Sequence, residues 1–281
     1  MVDACVERLK PLMPISILAL NEVDVSLRPH ALARLSDALG LSHSEFFGHV
    51  RNGEYGNALL SAAPITHREE HVLDGGSVVR FGDRTHQIVR GMLTVRTTLG
   101  GVPVGVGVTH LDHMAEAERI VQSRHVIRAL LPDLDAAQSS PHLLLLGDLN
   151  ALSRADYSAA EWAEHVEHNA QRGWAAPSDS AAEGGCLGCL GLFRAAGFDD
   201  CVRRSMQTAS GEGRVAPWSA HVHTAGSPRY RIDYVLSRSG GAAGSGGTGR
   251  LRCVSARVEN VTDDCGASSD HCPVAVDFAV G

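Results

Sequence analysis

Groups fit for acid–base and metal chemistry stand beside the short apolar runs of this chain. Glu22 follows Ile15–Leu20. His110 follows a valine-rich run, in Thr109-His110-Leu111-Asp112-His113. Asp148 and Asn150 follow four leucines, in Gly147-Asp148-Leu149-Asn150. Asp233 lies inside Tyr230–Ser237. Asp270 and His271 precede the last run, in Ser269-Asp270-His271-Cys272-Pro273. Gathered in one place, the four carboxylates would repel one another, and a divalent cation would relieve that repulsion. Oxygen ligands favour magnesium or manganese over zinc. Such a cation offsets the negative charge that builds up when a phosphodiester is hydrolysed. A carboxylate near the attack path takes a proton from water, and a placed imidazole steadies the anionic transition state. Help of this kind contributes about 10²–10⁴-fold in rate. An Asp paired with a His holds the ring in one tautomer and favours its cation.

The elements that must position these groups are also legible. Ile15–Leu20 and Leu143–Leu146 read as buried strands. Met92–Thr98 and the alternating Val102, Val104, Val106 and Val108 read as two strands joined by a tight turn at Gly100-Gly101. Tyr230–Ser237 and Pro273–Val280 read as further strands. The spacing predicts helices over Ala31–Leu39, Met114–Leu131 and Leu190–Ala196, and Ser158-Ala159-Ala160-Glu161 is a capping box opening another that ends near Gly173. Strands and helices alternate, yet a hairpin is present, so mixed sheets covered by helices are expected. Strand ends in such a sheet converge on one rim, where ligands bind. Residues 1–281 read as a single domain, with Ser239–Gly249 a flexible Gly-rich loop.

Each group also has a purely structural reading. Asp112 is expected to cap the helix opening at Met114, and Asp148 or Asn150 would serve a turn equally well. Asp233 would pair with Arg231 or a neighbouring strand. His113, His125, His165 and His168 are expected on the surface, and Cys272 in packing. Cys186 and Cys189 form a lone C-x-x-C that His221 and His223 would complete as a zinc site; without a second pair, both histidines read as part of a polar loop.

Composition narrows the classes. The 281 residues carry 25 Lys+Arg against 32 Asp+Glu, a formal charge of −7, which argues against holding nucleic acid mainly by charge. No window reaches the length of uninterrupted apolar residues that a membrane span needs, and Met1–Pro14 lacks the apolar core of a secretory signal. Seven scattered cysteines read as mostly reduced thiols of an intracellular, cytoplasmic protein.

Six stretches occur in a telling order: Asn21-Glu22-Val23-Asp24, Tyr55-Gly56-Asn57-Ala58-Leu59-Leu60-Ser61, Thr109-His110-Leu111-Asp112, Gly147-Asp148-Leu149-Asn150, Arg231-Ile232-Asp233-Tyr234 and Ser269-Asp270-His271. Together, from about Ile15 to Phe278, the chain resembles the endonuclease/exonuclease/phosphatase superfamily, the DNase I-like metal phosphodiesterases. The resemblance implies a four-layer α/β/β/α sandwich, two mixed sheets flanked by helices, with the site on the rim between the sheets. It implies Glu22 and Asp270 as metal ligands for Mg²⁺ or Mn²⁺. Asp148 takes the role of orienting or deprotonating water, and Asn150 holds a phosphate oxygen. His271 contacts the scissile phosphate, with Asp233 fixing its orientation, and His110 is a second phosphate-side histidine. Asn57 matches a loop asparagine that shapes the site and contributes to substrate binding.

The pattern departs in one place. Family members open with a strand that carries an asparagine, ahead of the helix and strand leading to the glutamate. Only 21 residues precede Glu22, room for part of that helix over Val2–Leu12 but not for the strand. The chain is therefore expected to lack the family's first strand, leaving backbone groups unpaired and lowering stability or activity. Asn21, where family members often have glutamine, reads as a minor departure. The expected function is metal-dependent hydrolysis of a phosphodiester or phosphomonoester in nucleic acid, a nucleotide or a phospholipid head group, with no obligate protein partner evident. The alternative is an impaired or N-terminally truncated member acting as a binding protein.

Overall fold

The computed structural model describes residues 2–81, 83–131, 142–172, 176–181, 187–208, 220–221, 228–239, 250–259 and 269–281. In chain order, helix α1 (Val2–Leu9) leads to β1 (Ile17–Asp24), α2 (Ala31–Leu39), β2 (His43–Val50), β3 (Tyr55–Ser61) and β4 (His67–Val72). A small hairpin, β5 (Val78–Phe81) and β6 (Arg84–Gln87), precedes β7 (Gly91–Leu99), β8 (Val102–Thr109), α3 (Glu116–Leu130) and β9 (His142–Asp148). Then come α4 (Ala159–Gln171), α5 (Cys189–Ala195), β10 (Asp199–Asp200) and α6 (Cys201–Thr208). The last elements are β11 (Ala220–His221), β12 (Arg229–Tyr230), β13 (Asp233–Arg238), β14 (Leu251–Val258) and β15 (Val274–Val280).

One sheet dominates, with strand order β10-β13-β9-β8-β7-β4. It is mixed because β8 and β9 run parallel, joined through α3, while the other ladders are antiparallel. The side-chain period of two sends β9's leucines into two cores. Leu143 and Leu145 pack with Val126 and Leu130 of α3 and Phe193 of α5. Leu144 and Leu146 point the other way, to Val104, Val106, Leu59 and Phe47 between the sheets. The glycines between the β8 valines face α3: a Cβ on Gly107 would meet Leu130 and the Met92 sulfur at 3.2 Å. Gly100 and Gly101 both have positive φ, as the predicted tight hairpin requires.

The second layer is β1-β3-β2, covered outside by α1 and α2, whose Val6, Leu9, Leu35 and Leu39 pack on Leu60. The mixed α/β sandwich expected from the sequence is therefore present, and this layer is divided. Among the described residues β1 pairs only with β3, and β14–β15 form their own antiparallel pair. Ile17, Ala19, Leu251 and Phe278 from the two pieces nevertheless pack into one cluster with Leu144 and Leu146. The described residues ahead of β1 form α1 and a short 3-10 turn, with no strand among them.

Most local expectations hold. Ser158 Oγ accepts the Glu161 N–H while Glu161 accepts the Ser158 N–H, completing the capping box. Asp112 accepts the N–H groups of Met114 and Ala115, so α3 begins at Glu116. The Tyr230–Ser237 strand is broken at Arg231. That side chain turns inward, pairs with Asp200 at 2.6 Å and Asp156 at 2.7 Å, and lies over the Tyr234 ring. Its N–H donates to the Tyr157 hydroxyl, so it cannot continue a ladder. The Ser239–Gly249 loop beyond its first residue, Gly173, Cys186 and His223 lie outside the described residues.

Candidate active site

Glu22 is delivered by a bulge. The β1–β3 register slips between Leu20 and Val23, leaving Asn21 and Glu22 without ladder partners. Glu22 has φ +58°, a strained setting for a residue with a side chain. Its carboxylate is 60% exposed, unlike the groups around it. Burial and this carboxylate together push the Tyr55 phenol up. Asn21 points inward and fastens the two sheets: its Oδ1 accepts the Asp148 N–H at 2.9 Å, and its Nδ2 donates to Asn57 Oδ1 and to the Thr109 carbonyl.

Asp148 ends β9, after a Gly147 that no other residue replaces cheaply. Gly147 has φ +135°, and a Cβ there would fall 2.0 Å from the Thr109 carbonyl oxygen. Asn150 also has positive φ, +48°. Its N–H donates to Asp148 Oδ1, and its side-chain amide donates to the Leu111 carbonyl. Asn57 sits in β3 and not in a loop. It is buried, with its amide donating to the Gly91 carbonyl and accepting from Asn21.

Asp233, at the start of β13, lies opposite Asp148 in the ladder. Its Oδ2 is 2.8 Å from His271 Nδ1, while Arg231 turns to Asp200 and Asp156 instead. Asp148, Asp233 and His271 each place one atom within 4.8 Å of the others. His110 links this group to Glu22, its Nε2 lying 3.5 Å from Asp148 and its Nδ1 3.7 Å from Glu22. Asp270 adjoins His271 and adds to its charge field.

The charges in this group are set by burial and by each other. Burial opposes a charge on His271, but the hydrogen bond and charge of Asp233, with Asp148 and Asp270 behind, override it and lift the imidazole to about 10. Burial above all, then the Asp233 carboxylate, pushes the Asp148 carboxyl up to about 8 against the pull of His271 and Arg90. Burial, then Arg90 and His271, hold the His110 imidazole well below its usual value, so it is neutral.

The sequence profile of the endonuclease/exonuclease/phosphatase family matches residues 3–271. The chain belongs to the endonuclease/exonuclease/phosphatase family. Solved structures agree on the fold of this family member. Humanized D. rerio TDP2 is 17% identical, covering 99% of this chain and 91% of that one, with TM-score 0.58. A family protein from Leptotrichia buccalis is 13% identical over 99% and 92%, at 0.59. The human nocturnin catalytic domain is 18% identical over 100% and 86%, also at 0.59. None of the curated proteins matches the sequence.

Among the described residues, the group that could hold a cation is Asp148, Asp233 and His271, whose two carboxylates suit a hard divalent ion. His271 is tied through Nδ1 to Asp233 and holds its proton, which makes it a charge partner and not a donor. The lone C-x-x-C supplies nothing comparable. Cys189 is buried, its thiol pushed up by burial and by Glu116, and Cys186 lies outside the described residues.

Sequence reasoning missed several residues. Asn21, read as a minor departure, ties β1 to three other strands, β3, β8 and β9. Arg90, just ahead of β7, is buried beside His110 and His113. His113 is exposed, as expected, and its Nδ1 lies 3.0 Å from Arg90 Nη2. His165 is 1% exposed in a box of Tyr157, Trp162 and Tyr230, since α4 turns that face inward. No local pattern marks Arg90, because an arginine before an apolar strand is commonplace.

Proposed function

We propose that the protein hydrolyses a phosphodiester by water attack. The carrying observation is the juxtaposition of Asp148, Asp233 and His271 within 4.8 Å, bridged by His110 to the exposed Glu22. Glu22 and Asp270 are the residues that would hold Mg²⁺ or Mn²⁺, which when bound polarises the phosphate and offsets its developing charge. Asp148 orients the attacking water and takes its proton; its raised affinity for a proton suits that task near neutral pH. His271, kept cationic by Asp233, donates a hydrogen bond to a non-bridging phosphate oxygen. His110 contributes a second donor, and Asn150, held in its strained backbone, faces a phosphate oxygen. Asn57 acts by steadying Asn21 and not by touching substrate.

The substrate is a phosphate ester of a nucleic acid, nucleotide or phospholipid head group. The net charge of −7 favours a site that grips one or two phosphates over one that tracks a long nucleic-acid backbone. Among the described residues no helix is long and apolar enough to cross a membrane.

The test is turnover of bis-p-nitrophenyl phosphate with and without Mg²⁺ or Mn²⁺, beside Asp148→Ala. Metal-dependent turnover that the substitution reduces by about 10²-fold or more supports the reading. Equal turnover in the variant overturns it. No turnover with either metal, there or on DNA, RNA, phosphoinositides and sphingomyelin, favours a binding protein.

A further inference from the structure

Arg90 is a buried cation with unusual partners. Its Nη1 lies 3.3 Å from His110 Nδ1, and its Nη2 lies 3.0 Å from His113 Nδ1. Among the described residues no carboxylate stands within ion-pair distance of it. A buried charge is costly unless its donors find acceptors. Here the acceptors near it are two imidazoles.

A guanidinium has no lone pair to offer and only donates. Both Nδ1 atoms must therefore accept, which leaves each ring neutral with its proton on Nε2. A second observation points the same way for His110. Its Nε2 faces Asp148 Oδ2 at 3.5 Å, where an N–H is favoured once that carboxyl is ionised. The Nδ1 edge meets the donor-only Arg90 at 3.3 Å, nearer than the Glu22 carboxylate at 3.7 Å, and the Nε2 edge meets Asp148.

The backbone around Arg90 is pinned. Its carbonyl accepts the Leu73 N–H, and the next carbonyl, of Gly91, accepts from Asn57 and Thr109. A Cβ on Gly91 would press on the His49 and Phe47 rings at 2.7 Å, so the chain there has little room to shift. The planar fork is then aimed, and only a fork reaches two rings at once. A lysine ammonium is a point charge on a flexible stem.

We propose that Arg90 is a positioning residue of this site. It fixes His110 and His113 together in the Nε2–H tautomer, so that His110 serves as a hydrogen-bond donor to the reacting phosphate and not as a proton acceptor. This rests on the phosphoric-ester reading above for its consequence, but not for its geometry.

The experiment uses the full chain, ¹⁵N-labelled at histidine, with His110→Gln and His113→Gln to assign the signals. Long-range ¹H–¹⁵N spectra of the wild type should show both rings protonated at Nε2 alone. In Arg90→Lys at least one ring should leave that state, and Arg90→Ala should lose both. On bis-p-nitrophenyl phosphate, kcat should fall about 10- to 100-fold in both variants, with KM changed less than about threefold. Three results would overturn the proposal: a wild-type His110 protonated at Nδ1, an Arg90→Lys equal to wild type in both readouts, or a rise in KM with kcat unchanged, which marks direct substrate binding. The wild-type spectrum decides the tautomer even if the variants do not fold. It also stands if no ester is hydrolysed, an outcome that sinks the functional reading alone.

Discussion

Asp148 and Asp233 are direct partners across the antiparallel ladder between β9 and β13. Like charges in that relationship destabilise a sheet. Here one of them is buried as well; His271 Nδ1 lies 2.8 Å from Asp233, and the Asn150 N–H donates to Asp148. Asp148→Asn should therefore stabilise the metal-free protein by about 1–2 kcal/mol while abolishing ester hydrolysis. The gain should grow as pH rises towards about 8 and level off above it, because over that window the unfolded chain has released the proton that the folded wild-type carboxyl keeps. Urea denaturation at pH 6 and pH 9 checks this; a less stable variant at both would refute it.

Asn21 offers a second case. It bonds the backbone of Asp148, the Thr109 carbonyl and Asn57. Asn21→Ala leaves those groups without their partner at a junction of two sheets. The expected cost is about 2–4 kcal/mol, read as a lower urea midpoint, with a lower kcat as Asp148 loses its anchor.

Arg231 is held by Asp200 and Asp156 and buried over Tyr234. Arg231→Met would strand two carboxylates in a tight interior. The loss should reach about 3–5 kcal/mol, seen as unfolding at markedly lower denaturant. A double change that also makes Asp200 and Asp156 into Asn should recover part of it.

His165 sets an acid limit. Burial first, then His168, lowers its imidazole from 6.5 to about 4. A depressed folded pKa means the unfolded chain takes up the proton first. The contribution is intact above 6.5 and drains away as pH falls towards 4, by about 3 kcal/mol across that window. His165→Phe, matched to the aromatic box, should flatten the melting temperature over that range. An unchanged slope would exclude this cause.

Glu22 and Asp270 bear on the cation. Glu22→Gln and Asp270→Asn should each raise the Mg²⁺ concentration for half-maximal rate by at least about tenfold, with little change in stability. Asp24→Asn serves as a control, since that carboxylate binds Ser26, Leu27 and Arg51. A metal requirement unmoved by the first two substitutions would remove both from the cation site.

Much of this was legible in the chain itself, where the deciding forces are local. The β7–β8 hairpin follows from alternating valines and two glycines, and α4 opens where Ser158 and Glu161 stand three apart. The ordered motifs around Glu22, Asp148 and His271 gave the family, whose profile spans residues 3–271. The break at Arg231 and the burial of His165 were not legible, because each depends on groups far away in sequence that supply charge or aromatic cover.

The sequence alone determined which atoms are available: carboxylates, imidazoles and one carboxamide at strand ends, on elements whose period sorts their side chains to two faces. Only the tertiary structure decided their partners. It set Asp148 against Asp233, gave His271 to Asp233 instead of Arg231, turned Asn21 into the tie between sheets, and lodged Arg90 between two histidines. The reason is physical. A residue's type and spacing fix what bonds it is able to make, whereas ladder register, a bulge and burial fix which group stands within 3 Å of it, and those are properties of the packed whole.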